Sequence, residues 1–177
     1  MRPLAKFFVF PLMAFFAGVI ALPLCVLVFA LWGLLSSDST STPPRWESAI
    51  GQSALQASLQ RRAAGLHDPL KGNDAELAAG LKTYVNTCAG CHGDFRRRGW
   101  GVSGLYPRAP QFGRNPPELT AEEIFSAVKF GVRYSAMGAN EGQMTDKEAW
   151  QVATFVSRLR SLPPSVSDVW TAKRPGH

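Results

Sequence analysis

Two thiols and an imidazole fall within five residues, Cys88, Cys91 and His92, in the stretch TCAGCHG. The spacing Cys-x-x-Cys-His serves three chemistries: a dithiol redox pair, half of a zinc site, or covalent attachment of haem. A thioredoxin-type pair needs a strand that delivers it to a helix start, and no strand alternation runs along this chain. Zinc wants four ligands, yet there is no second cysteine pair; Cys25 sits in a long apolar run, and the remaining histidines are His67 and His177. Haem attachment remains, in which both thiols add to the porphyrin vinyl groups and the following histidine is carried onto the iron.

Such a motif must be held by elements, and punctuation places three helices. The first is expected from about Asp74 through AELAAGLKTYVNT to the cysteine pair, with Asp74 and Glu76 in the first turn, where the helix dipole favours acidic groups. The second opens at Thr120-Ala121-Glu122-Glu123, a capping box, and stops at Gly131. The third opens at another, Thr145-Asp146-Lys147-Glu148, and is expected to end at Pro163-Pro164. Trp150, Val152, Phe155, Val156 and Leu159 supply its apolar faces, and the fold class is all-α. Between the first two helices lie 27 residues, 94–120, crowded with Gly, Pro and Arg; a loop that long is expected to wrap something. The unit 74–162 is short of core for its three helices, and a large apolar cofactor would fill its centre.

Ahead of this domain, no charge occurs from Phe7 to Ser37, and apolar side chains dominate as far as Leu35. As a helix those residues would extend ~43 Å, enough to cross a hydrocarbon core of ~30 Å. The run is too long for a cleaved secretory signal, whose apolar core spans ~7–15 residues. Residues 1–37 are therefore read as one N-terminal transmembrane anchor, with Cys25 a buried, unreactive thiol. Arg2 and Lys6 precede the span, so the positive-inside rule leaves the N-terminus in the cytoplasm and everything after residue 38 exported. The exported part has 17 basic and 13 acidic side chains, too mild an excess for a nucleic-acid binder. Residues 38–73 read as a linker: a flexible SSDSTSTPPR stretch, then a spacer helix near 46–64 with Trp46, Ile50, Leu55 and Leu59 as apolar positions, and a loop containing His67. Residues 163–177 are a C-terminal tail.

Over 74–162 the chain resembles class I, single-haem c-type cytochromes. Gly80, Tyr84 and Cys88 reproduce that family's Gly-x-x-x-aromatic-x-x-x-Cys spacing, which would line one helical face. The resemblance implies a small cytochrome c fold of three main helices around one covalent haem c and its iron. The glycine would let the first and last helices cross closely, with Val152 and Phe155 as partners. In YPRAPQF, Pro110 resembles the proline whose carbonyl accepts the Nδ1 proton of the haem histidine, with Phe112 as a haem-packing residue behind it. In FGVRYSAMGAN, Met137 resembles the methionine ligand; Met144, just before a capping threonine, is the rival, and Gly138 stands where many relatives have proline.

The implied metal ligands are thus His92 and Met137, which leave no open iron position. The function implied is that of a membrane-tethered electron carrier, not an enzyme. It would work in the periplasm between a quinol-oxidising complex or dehydrogenase and an oxidase or soluble cytochrome. Two alternatives accompany it: a haem subunit of a larger respiratory complex, assembled through the span, residues 46–64 and the Trp170 tail, and a haem sensor or enzyme if Met137 does not bind. Arg96, Arg97 and Arg98 are candidates for steering an acidic partner or pairing with haem propionates.

Overall fold

The computed structural model describes residues 4–34 and 36–172, with side chains from residue 11 onward. Arg2, Leu35, His177 and the side chain of Lys6 lie outside the described residues. Contacts divide the chain into two compact units, one up to Asp38 and one from Ser39.

The first unit is a single helix, α1 (Leu4–Leu31), within which the 21 residues Pro11–Leu31 are long and apolar enough to cross a membrane. Pro11 and Pro23 lie inside it, as spanning helices tolerate. Cys25 is on the outer surface of α1 rather than in a protein interior. The helix stops four residues short of Leu35 because Gly33, at φ 69°, takes the left-handed turn. The Gly33 N–H then donates to Ala30 O (3.1 Å) and the Leu34 N–H to Phe29 O (2.9 Å), a Schellman close.

The second unit is helical, and no strand forms among its described residues apart from an isolated bridge between Glu141 and Met144. Helix α2 (Arg45–Ala63) occupies the expected spacer, but it is docked: Leu59 is buried, the Arg62 guanidinium lies 5.8 Å from the Phe130 ring centroid, and Ser48 and Tyr106 hydroxyls meet at 2.8 Å. Of its four apolar positions only Leu59 is buried; Trp46 and Ile50 face outward, 62% and 64% exposed.

Helix α3 (Asp74–Thr83) starts at Asn73, whose side chain accepts from the Glu76 N–H while Glu76 returns the bond. A widened turn (Tyr84–Cys88) and the short α4 (Ala89–His92) follow. Helices α5 (Ala121–Phe130) and α6 (Asp146–Ser157) begin at the capping boxes of Thr120 and Thr145, and α5 ends at Gly131. Helix α6 ends earlier than the prolines suggested. Arg158 leaves the helix and turns its guanidinium onto Gly72 O (2.9 Å), while Pro163 and Pro164 open a further helix, α7 (Pro164–Thr171), whose first turn suits proline's fixed φ.

The core lies where α3, α5, α6 and α7 meet. At Gly80 the helices α3 and α6 touch backbone to backbone: an added Cβ would overlap Gln151 O and stand 2.8 Å from Phe155 Cβ. Phe125 stacks on Trp150 (4.0 Å, 9°), tying α5 to α6. Trp170 and Val166 are buried in this same core, so the packed unit reaches past residue 162 and the Trp170 tail is structural rather than a free assembly surface. Trp170 meets Tyr84 and Phe155 edge-on, each at 5.6 Å.

Candidate functional site

The attachment segment owes its shape to the widened turn. The Ala89 N–H bonds back five residues to Tyr84 O, so the helix gains an extra residue there. Gly80 and Tyr84 both face the core, and Cys88 packs against it half-buried. Tyr84 is fully buried, and its hydroxyl donates to Gly93 O at 2.7 Å; burial, then the neighbouring Cys88 and Asp94, hold the phenol protonated. Gly93 ends α4 at φ 72°, and an added Cβ would sit 2.7 Å from Arg97 O and 2.8 Å from Gln111 Oε1, so only glycine fits.

Cys88 and Cys91 are half-buried and unpaired. Burial, followed by the proximity of Cys91, pushes the Cys88 thiol up to about 11. A disulfide exchanger needs the opposite, a thiol lowered toward the ambient pH, so the environment argues against the redox-pair chemistry. The His92 ring is buried, and burial lowers its pKa more than the Pro110 bond restores, which favours the neutral imidazole. Its Nδ1 lies 2.9 Å from Pro110 O. A carbonyl only accepts, so Nδ1 carries the proton and Nε2 keeps a free lone pair. Phe112 stacks on the imidazole face at 4.7 Å and 5°, and its N–H donates to His92 O at 3.1 Å. The aromatic ring thus packs directly on the histidine.

The long loop that carries Pro110 is held by backbone contacts that glycines permit. Added Cβ atoms at Gly99 and Gly101 would run into Cys91 O, and one at Gly113 into Asp94 O. Its basic run is not uniform. Arg96 gives both Nε and Nη2 to Thr171 O (3.0 and 2.7 Å), which fastens the loop to α7; Arg97 lies 3.8 Å from Asp94; Arg98 is exposed. Trp100 is 61% exposed, with its Nε1 3.6 Å from the Cβ position of Gly90, so its indole covers the outside of the attachment segment.

Met137 comes from the segment after α5. Gly131 (φ 69°) lets this segment double back: an added Cβ would meet Met137 O, Gly138 C and Ala139 N at 2.7–2.8 Å. The Val132 N–H donates to Met137 O (2.9 Å), the Ser135 hydroxyl to Val132 O (2.7 Å), and the Met137 N–H to Ser135 Oγ (3.1 Å). Asn140 secures the far end through Nδ2 to Val128 O (2.9 Å). Tyr134, at φ 59° and 90% exposed, sits at the tip. Both Met137 and Met144 pack at the rim of the core, Met144 with its N–H on Asn140 O (3.0 Å) at the foot of α6. His67 is exposed in its loop, near Glu122.

Two free thiols three residues apart and a neutral imidazole with Nε2 available are sulfur and nitrogen donors, and the thioether of Met137 is carried separately on its braced loop. That set fits covalent haem better than a hard cation. Among the described residues no three His, Cys, Asp or Glu side chains group to hold a bare metal ion. The residues that sequence reasoning missed are Asn73, Ser135 and Gln111; each acts through side-chain to backbone bonds that no periodicity reports. Residues 75–156 match the family described as cytochrome C oxidase, cbb3-type, subunit III. No solved structure matches the chain.

Proposed function

We propose that residues 75–156, which match the cbb3-type subunit III family, are a c-type cytochrome domain with covalent haem c and its iron as cofactor, and that the protein is a membrane-tethered carrier of single electrons with His92 and Met137 as the iron ligands. When bound, haem c supplies one iron that alternates between ferrous and ferric. Cys88 and Cys91 would hold it through thioethers. Pro110 keeps the proton on Nδ1 of His92, so the Nε2 lone pair is the one presented, and Phe112 fixes the plane of the ring. Gly131 and Ser135 brace Met137, whose soft sulfur favours the ferrous state and raises the potential. With His92 and Met137 both on the iron, water and substrates would be kept from it, which suits transfer rather than catalysis. The observation that carries this reading is the buried His92 bonded to Pro110 O at 2.9 Å.

Helix α1 serves as a single-pass anchor, with the N-terminus in the cytoplasm and the haem domain in the periplasm. Redox partners dock at the exposed Arg97, Arg98 and Trp100, and the partner surface is acidic. Arg96, tied to Thr171, is a structural residue in this scheme. In the test, Met137→Ala and Met144→Ala are compared. Met137→Ala should lose the weak sulfur-to-iron band of the ferric protein and let the ferrous protein bind carbon monoxide, while Met144→Ala should do neither. The converse result refutes the assignment of Met137.

A second reading is a subunit of a larger respiratory complex, favoured by the oxidase-subunit description of the matched family and by the outward Trp46 and Ile50 of α2. A carrier leaves a gentle detergent extract as a free species; a subunit leaves with its neighbours.

A further inference from the structure

Proline has no N–H, so nothing on Pro110 itself can fix the direction of the carbonyl that meets His92. The residues on either side do it, and one side chain links them. The Gln111 amide is fully used: Oε1 accepts from the Gly99 N–H at 2.7 Å, while Nε2 donates to Cys91 O and to Ala109 O, each at 2.9 Å. Ala109 is held from its other side by its N–H on Gly101 O (2.8 Å). The amide assignment is unambiguous, because an oxygen turned toward the two carbonyls would find no proton there. The glycine at 93 leaves the room: an added Cβ there would press on Oε1 at 2.8 Å.

One side chain thus bonds the second attachment cysteine, the residue before Pro110 and the opposite limb of the loop. We propose that Gln111 is a positioning residue for the iron ligand: it sets the Pro110 carbonyl against His92 Nδ1 and thereby tunes the electron donation of the imidazole. The inference rests on His92 being a ligand. A firm Nδ1–H bond raises the basicity of Nε2 and favours ferric iron; a loosened one shifts the balance toward ferrous.

The experiment uses the full haem-bearing chain in detergent, with haem attachment checked by mass. Gln111→Met matches the length and removes every amide bond; Gln111→Asn keeps an amide too short for all three partners. At fixed applied potential, Gln111→Met should raise the ferrous-to-ferric ratio about tenfold, equivalent to ~59 mV for one electron, and Gln111→Asn by less. Solvent exchange of the His92 Nδ1 proton, followed by NMR in the ferrous state, should accelerate at least about tenfold in Gln111→Met, since its protection reports the Pro110 bond. If Gln111 acts through Pro110, the shift in Pro110→Ala/Gln111→Met is no larger than the greater of the single shifts. A protected ring proton in the unmodified protein, with potential and exchange unmoved in both variants, overturns the role of Gln111 alone, even where stability falls. Absence of that proton from the unmodified protein overturns the Pro110 bond and the role of Gln111 with it, whereas a His92 ring without the strong upfield shift of an imidazole held on a ferrous haem overturns the ligand reading.

Discussion

Replacing Gly80 by alanine sets two effects of opposite sign against each other. In a helix interior, alanine is better than glycine by ~1 kcal/mol, so propensity alone calls for a more stable protein. At the crossing of α3 and α6, however, the new methyl would overlap Gln151 O, stand 2.7 Å from Gln151 C and 2.8 Å from Phe155 Cβ. Two of these atoms are backbone inside α6 and cannot swing away, so the helices must part. Overpacking of this kind costs ~1–3 kcal/mol, and contact with main chain puts it near ~3. The expected net loss is therefore ~2 kcal/mol. With a urea slope of ~2 kcal/mol/M, the midpoint of unfolding, followed by haem absorbance, should fall by ~1 M at unchanged slope. A midpoint that rises, or stays within ~0.2 M, would refute the close crossing.

Tyr84→Phe should cost ~1–3 kcal/mol in the same assay, because it leaves the buried Gly93 carbonyl without its 2.7 Å donor while preserving the ring packing; a loss below ~0.5 kcal/mol would show the bond to be replaceable. Trp170→Ala should cost ~3–5 kcal/mol, as expected for a large buried ring and not for a free tail; a value near zero would return α7 to the status of an appendage. Reversing both outward charges in Arg97→Glu/Arg98→Glu should slow electron transfer to an acidic redox protein at least about tenfold at low salt, with the rates converging as salt rises; a salt-independent rate in the unmodified protein would remove electrostatic docking.

Local signals in the chain were the ones that could be read. Thr120 and Thr145 announce their helices because a capping box is complete within four residues, and Gly131 announces a stop because its positive φ is local too. Asn73 has the same chemistry, but the acidic Asp74 and Glu76 behind it are the plainer mark of the helix start. The proximity of Pro110 to His92 spans eighteen residues and came from the resemblance, not from periodicity. What stayed hidden depends on distant pairing. Leu59 looks no different in sequence from the exposed Ile50, and only the docking of α2 on α5 separates them. Pro163 and Pro164 fit the end of one helix as well as the start of another, and the burial of Trp170 decides for the start. Arg96 cannot be told from Arg97 and Arg98 until Thr171 O is seen beside it.

The pairing of Trp170 with Tyr84 makes completion of the core wait for α7. Tyr84 comes just before the two thiols, yet the ring that covers it emerges from the ribosome 86 positions later. Until then the Tyr84 ring lacks its edge-on cover, so the segment before the cysteines cannot reach its final packing.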